Sequence, residues 1–232
     1  MSGSAPTRSL SSSIGDYLKA VWTISGSDAA STKSLSEQLS VAPASVTNML
    51  GRLQEMGLVE YERYRGASLT EEGRREALRL VRRHRLIEAF LLEHLGYSWE
   101  EVHEEAERLE HAVSDAFTER LAEFLGHPEN DPHGDPIPAA DGTMVPDHSF
   151  PLGDAAAGQR VRISKVNDEN DSMLGYLGER DLVPGRLLEV REVRALDGVV
   201  TVEDEDGASH ALGAPLARAV FVRDERTSRI PG

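Results

Sequence analysis

Between residues 126 and 158 the chain reads "GHPENDPHGDPIPAADGTMVPDHSFPLGDAAAG", too rich in proline, glycine and aspartate for regular structure to pass through it. The run divides the sequence into two parts with different hydrophobic periods. Upstream, apolar residues recur at helical spacing. Downstream, from Arg160 to Val222, short apolar runs alternate with the turn signals "VPG" (183–185), "LDG" (196–198) and "DEDG" (204–207). The dividing segment, 127–157, therefore reads as a linker, and 158–232 as a small β-rich barrel. A chain of 232 residues is long enough for two domains, or three small ones, each with its own core.

Residues 1–12 are Ser-rich and read as a disordered tail. A helix starts at Ser13, with Ile14, Tyr17, Leu18, Val21 and Trp22 on one face. After the loop "ISGSDAAS" comes "TKSLSEQLSVAPASVTNMLGRLQEMGLV" (32–59), with Leu35, Leu39, Val46, Leu50, Leu53, Leu58 and Val59 apolar. "SVAP" (40–43) interrupts it, giving two short helices joined by a tight turn. "LVEYERYRGASLT" (58–70) alternates and turns at Gly66, the pattern of a β-hairpin. Helix, helix-turn-helix and hairpin make a winged-helix arrangement over 13–72. A long helix follows at 70–96 and a second from Ser98 to Leu125, a helical domain over 73–126. The expected fold class is mainly α with β.

The recognition helix of a helix-turn-helix turns its N-terminal residues to base edges in the major groove. Here that stretch offers Ser45, Thr47, Asn48 and Arg52. Asn pairs with adenine, hydroxyls serve base or phosphate, and Arg52 suits a phosphate. Arg63, Tyr64 and Arg65 at the hairpin tip are placed to straddle a backbone or probe the minor groove. A net charge of −15 argues against a nucleic-acid partner until its distribution is counted. Residues 1–90 hold 12 Lys+Arg against 10 Asp+Glu, and the remainder 13 against 30. Such asymmetry suits one module that meets an anion and others that do not. The competing reading is a helical hairpin whose polar residues simply face water.

"VHEEAERLEHAVSD" (102–115) places His103, Glu107, Glu110 and His111 within a stripe about 100° wide on a continuous helix. Val102, Ala106, Leu109, Val113 and Phe117 form the adjoining apolar face, so the stripe borders a core and its groups need partners. His84 and Glu88 share a face upstream, and antiparallel packing of the two long helices would bring them to His103 or Glu107. Asp16 lies one turn into the first helix. Taken alone, Asp16 reads as the acidic half of a capping arrangement with Ser13. His84 also reads as a solvated group among arginines, and His103 with Glu107 as an exposed pair. A metal site and a solvated stripe both stand open here. His94, His127, His133, His148 and His210 show no partner at ligand spacing and read as loop or surface residues.

The absence of cysteine excludes disulfides, thiolate metal sites and thiol catalysis. Oxygen and imidazole ligands without sulfur favour Mn2+ or Fe2+ over softer metals. No stretch approaches the roughly 20 apolar residues of a membrane span, and the N-terminus lacks a secretory h-region, so a cytoplasmic protein without a membrane partner is expected. One Glu-x-x-His, at Glu100 and His103, falls short of the two that ferritin-like dimetal enzymes need on four long helices. The expectation is therefore no enzyme and no small-molecule substrate. A winged-helix regulator that senses a small organic ligand is the alternative.

"HRLIEAFL", "VHEEAERLEHAVSD" and "HGDPIP" resemble motifs of the diphtheria toxin repressor family of metal-dependent transcription regulators. "VAPASVTNMLGRL" and "YERYRG" most resemble its manganese transport regulator branch. The likeness covers nearly the whole chain and implies a winged helix, a dimerisation domain, a linker and an SH3-like (FeoA-like) domain. It implies a homodimeric repressor of metal-uptake genes that binds double-stranded operator DNA when loaded with Mn2+ or Fe2+. By position, the effector ligands would be Asp16, Glu107, Glu110 and His111, and the ancillary ligands His84, Glu88 and His103. Glu169 and Asp171, in "VNDENDSMLG" (166–175), are candidates from the SH3-like domain. Iron-type members have methionine and cysteine where Asp16 and Glu107 stand. Two-domain manganese members have a glutamate at the position of Lys19, which cannot ligate.

Overall fold

The computed structural model describes residues 11–25, 29–167 and 171–225. It comprises two compact units, Met1–Arg83 with Glu110–Ala112 and Pro138–Thr143, and His84–Leu109 with Val113–Ile137 and Met144–Gly232. No described helix is long and apolar enough to cross a membrane.

The first unit is built on helices α1 (Ser12–Ile24), α2 (Thr32–Gln38) and α3 (Pro43–Glu55) and on strands β1 (Val59–Glu62) and β2 (Gly66–Leu69). Ser31 caps α2, its hydroxyl accepting from Ser34 N at 3.0 Å. Pro43 opens α3 at a position where the missing N–H costs nothing. The apolar face expected on α1 is largely interior: Ile14, Tyr17, Leu18 and Val21 join Leu35, Val46, Leu50, Leu53, Leu58 and Val59 in one core, with Trp22 at its edge. β1 and β2 pair antiparallel, Val59 opposite Leu69 and Glu62 opposite Gly66. Ala30 adds a bridge to Ala67 on the far side of β2, N–H to O in both directions at 2.8 and 2.9 Å. Gly66 makes that bridge possible. Its φ is 106°, and an added Cβ would stand 2.6 Å from the Ala30 carbonyl oxygen.

α4 (Glu71–Leu95) is the longest helix among the described residues, and His84 opens its part in the second unit. There its residues Leu86, Ile87 and Leu91 pack with Val102 and Ala106 of α5 (Val102–Glu110) and Leu121 and Ala122 of α6 (Asp115–Phe124). The single helix expected over 98–125 is thus two. Ser114 ends the continuity by capping α6, its side chain accepting from Phe117 N at 3.2 Å. The phase of the apolar stripe is lost at the break. Val102 and Ala106 are buried, but Phe117 is 47% exposed.

β3 (Phe150–Pro151), β4 (Arg160–Val166), β5 (Leu187–Val193), β6 (Val200–Asp204), β7 (Ser209–Leu212) and β8 (Val220–Asp224) form one antiparallel sheet in the order β3-β8-β4-β5-β6-β7. Among the described residues the first and last strands do not pair, and the sheet is consistent with the small SH3-like β-domain expected. Helices α7 (Asp171–Gly178) and α8 (Ala214–Ala219) contribute Leu174, Leu177 and Ala217 to its core, beside Ile163, Val190, Val202 and Val222.

Two parts of the segment expected to be a linker, 127–137 and 144–157, belong to this unit and reach both its cores. Asp131 folds "DPHGDP" into a turn by accepting from His133 N and Asp135 N at 2.9 and 3.0 Å. Ile137 packs on the helical core, and Leu152 is fully buried in the sheet core. Proline and glycine excluded a helix, but not an ordered path anchored by Asx turns and apolar residues.

Gly66→Ala is expected to destabilise the protein by more than ~1 kcal/mol, because both the positive φ and the carbonyl of Ala30 oppose a Cβ. Urea unfolding checks it; an unchanged midpoint would contradict the account of the wing.

Candidate metal centre and nucleic-acid interface

Asp16 stands on α1, and Glu110 and His111 at the end of α5, all in the first unit. His111 Nε2 donates to Asp16 Oδ1 at 2.7 Å and lies 3.4 Å from Glu110 Oε1. One ligand atom of each residue lies within 4.8 Å of the others. Asp16 is not a capping residue. α1 begins at Ser12 after Ser11, whose side chain makes no cap bond, and Asp16 points its carboxylate to His111. Gly15 admits the imidazole, since a Cβ there would stand 3.1 Å from His111 Cε1 and 2.8 Å from Leu80 Cδ1.

Glu110 has no exposure to water. A buried carboxylate needs compensation, and Lys19 supplies it: Nζ donates to both Glu110 oxygens, each at 2.9 Å. Arg83 Nη1 donates to the Glu110 backbone oxygen at 2.9 Å. The hydrogen bond that His111 donates to Asp16 raises its pKa above the ordinary value; burial opposes this, and the Glu110 charge reinforces it.

A second cluster lies in the second unit. Glu88, buried on α4, meets His84 Nε2 at 2.9 Å and His103 Nδ1 at 3.1 Å through one oxygen, Oε1. The two imidazoles are 3.2 Å apart, nitrogen to nitrogen. Burial pushes the Glu88 carboxyl up, but the His84 charge and the two imidazole bonds pull it down further, so it is held well below the usual carboxylate range. Glu107 is in the same unit, Oε1 4.0 Å from His84 Nδ1. The stripe read on one helix therefore divides: His103 and Glu107 go to His84, while Glu110 and His111 go to Asp16.

Glu169 lies outside the described residues, and Asp171 is the first residue of α7. His133 was expected at the surface and is instead fully buried. "HGDPIP" folds it inward, and that motif was the signal for it. The other missed residue is Lys19: sequence excluded it as a ligand, but not as the counter-charge of a carboxylate far along the chain.

Ser45, Thr47, Asn48 and Arg52 are exposed on α3, and Arg63, Tyr64 and Arg65 are exposed on the β1–β2 turn. Thr47 Oγ1 donates to the Pro43 carbonyl at 3.1 Å, and Arg65 pairs with Glu62 at 3.1 Å. Tyr64, 92% exposed with φ 71°, carries the Arg63 guanidinium 5.1 Å from its ring centroid. An apolar ring so placed contributes little to stability and is available to a partner.

Residues 9–67 match the family described as "Iron dependent repressor, N-terminal DNA binding domain". Residues 70–139 match "Iron dependent repressor, metal binding and dimerisation domain", and residues 150–224 match "FeoA domain". An uncharacterised HTH-type transcriptional regulator of Methanocaldococcus jannaschii is 40% identical over 118 residues, 50% of this chain and 94% of that one. The iron-dependent repressor IdeR of Mycobacterium tuberculosis is 38% identical over 104 residues, so the match spans 45% of that relative and of this chain. A solved manganese-dependent transcriptional repressor in complex with manganese is similar at TM-score 0.86 and 40% identity, over 91% of this chain and 99% of that one.

Two outcomes are expected of the cluster around Glu110. Lys19→Met leaves a buried carboxylate short of its counter-charge and should cost the metal-free protein about 3 kcal/mol, while Mn2+ affinity rises because no ammonium has to be displaced. Urea unfolding and calorimetric titration read the two, and a variant with unchanged affinity would remove Lys19 from the site. Second, Mn2+ affinity should fall with falling pH from above the ordinary histidine range, because His111 holds its proton more tightly than usual. In the metal-free protein the sign is reversed. The stability from protonated His111 is present at low pH and is lost as pH rises through its raised pKa.

Proposed function

The chain belongs to the iron-dependent repressor family of metal-dependent DNA-binding regulators, and from that premise we propose that it is a cytoplasmic, homodimeric repressor of metal-uptake genes, switched by Mn2+ or Fe2+. The observation that carries this reading is the convergence of Asp16, Glu110 and His111 within 4.8 Å. Carboxylate oxygens and an imidazole nitrogen suit a hard or borderline divalent ion, and sulfur is absent. The Lys19 ammonium, bound to both Glu110 oxygens, is a stand-in for positive charge at that place. The related proteins include both iron-dependent and manganese-dependent repressors. The all-carboxylate and imidazole set favours Mn2+.

When bound, the ion supplies the positive charge that allows three electron-pair donors to stay together. For this, Glu110 gives up Lys19 and His111 gives up its proton. Asp16 is the group through which the site reaches the reading helix, since Ile14, Leu18 and Val21 of the same α1 share a core with Val46, Leu50 and Leu53 of α3. Fixing α1 fixes α3. In a symmetric dimer the two copies of α3 must sit about 34–36 Å apart, or a multiple, to read successive major grooves. Asn48 then reads adenine, Ser45 and Thr47 serve base or phosphate, Arg52 holds phosphate, and Arg63, Tyr64 and Arg65 reach the backbone or minor groove. Binding of the ion selects the DNA-competent arrangement, and by linkage DNA tightens ion binding. His84, Glu88 and His103 form an ancillary site, with Glu107 beside His84, and Glu169 and Asp171 are the sheet domain's candidate ligands for it.

The test is binding of the metal-stripped protein to duplex DNA from upstream of its own or neighbouring transporter genes. Mn2+ and Fe2+ are titrated separately, anaerobically and at fixed salt, because phosphate contacts make affinity salt-dependent. Binding should switch on at lower free Mn2+ than Fe2+, and Glu110→Ala should abolish the switch while leaving a folded protein. DNA binding that ignores metal, or a Glu110→Ala protein that still responds to Mn2+, would falsify the reading.

A further inference from the structure

Glu88 has two oxygens, and the cluster described above uses one. Oε1 meets both His84 and His103, whereas Oε2 is buried and has no hydrogen-bond partner. Asp131 and His133 lie close by, each with a ligand atom within 4.8 Å of a Glu88 carboxylate oxygen and of the other. All three residues are buried.

His133 fixes the chemistry of this place. Its Nε2 lies 2.9 Å from the backbone oxygen of Trp99. A carbonyl oxygen only accepts, so Nε2 carries the hydrogen and Nδ1 presents a lone pair in the neutral ring. Nδ1 is buried and has no hydrogen-bond partner. This is how proteins orient a metal-binding imidazole: the outer nitrogen donates to a backbone carbonyl, and the inner one is left to ligate. Asp131 is held as rigidly. Its Oδ1 accepts from His133 N and Asp135 N, and Oδ2 faces Arg85 Nε at 3.3 Å. Burial, together with the nearby charge of Glu88, pushes the Asp131 carboxyl well above its ordinary value. Arg85 thus covers one carboxylate, but a carboxylate oxygen and an imine nitrogen are left buried with no donor between them. Such a pair is costly unless something positive or a hydrogen donor is shared.

We propose that Glu88 Oε2, Asp131 and His133 Nδ1 bind a divalent first-row cation, and that the Glu88 carboxylate bridges this cation to the one held by His84 and His103. The ligands are two carboxylates and one imidazole, the set that suits Mn2+, Fe2+ or Zn2+. The site draws on α4 and on the Asx turn of "DPHGDP", so an ion there ties that turn to the helix. Any proton on Asp131 leaves to solvent as the cation enters.

The full chain, stripped of metal, is dialysed against Mn2+ and its bound ions are counted per chain, for the wild type, His133→Gln and Asp131→Asn. Circular dichroism and the urea midpoint establish that the variants are folded. Each variant is expected to hold one ion fewer than the wild type. In parallel, Zn2+ is titrated into 15N-histidine-labelled wild type, where the His133 Nδ1 resonance should move from the position of a free imine nitrogen to that of a metal-bound one. Equal ion counts in folded variants would overturn the proposal. So would an Nδ1 resonance that stays in place at saturating Zn2+, or that is already protonated, and this second reading decides alone if neither variant folds.

Discussion

A carboxylate cut off from water must be given positive charge, and two such carboxylates organise this chain. Glu88 and Glu110 are both without exposure, one on α4 and one at the end of α5. Each recruits partners from far away in sequence: Lys19 reaches Glu110 across 91 residues, and His103 reaches Glu88 across 15. The desolvation of an unpaired buried ion costs several kcal/mol, so neither glutamate is tolerable as a spectator. Lysine engages both oxygens of one, and imidazoles engage one oxygen of the other. Both compensations are reversible, because neither an ammonium nor a hydrogen-bonded imidazole is fixed covalently to its carboxylate. The positions that most need positive charge are therefore also the ones where one source of it can be exchanged for another.

Much of this was legible in the sequence, for a physical reason. The winged module follows from residues that act locally: Pro43 opening α3, Gly66 at the hairpin turn, and apolar spacing that put Leu18, Leu50 and Leu53 inside. The candidate ligands were legible because carboxylate and imidazole at helical spacing is an uncommon pattern. What failed was continuity. A helix over 98–125 is supported by period alone, and the hydroxyl of Ser114 breaks it by offering Phe117 N a better partner than the preceding turn does. Likewise "DPHGDP" announces a turn, but nothing local says that the turn faces a core. Lys19 was readable as a residue that cannot ligate. Its real role needed the fold, since Glu110 is not its neighbour on any one element.

The two clusters share residue types and differ in what they cost to keep empty. Around Glu110, a lysine already stands in the place of a cation and both carboxylate oxygens are engaged. Around Glu88, one oxygen is engaged and the other is not. The first arrangement can exist as a well-satisfied ion-free state, which a switch requires. The second leaves a buried carboxylate oxygen without a donor, so its ion-free state is the less well satisfied of the two.

The helix break has one more consequence. Because α5 stops at Glu110, the backbone carbonyl of Glu110 is left at a helix end and accepts from Arg83 Nη1 at 2.9 Å. A helix terminus of this sense carries a partial negative charge of about half an electron, felt within its last turn. The interruption that spoils the periodic reading therefore leaves that partial charge on the Glu110 carbonyl, where the Arg83 guanidinium answers it. A continuous helix through residues 111–114 would pass this partial charge further down the chain and leave the Arg83 guanidinium without the carbonyl it meets.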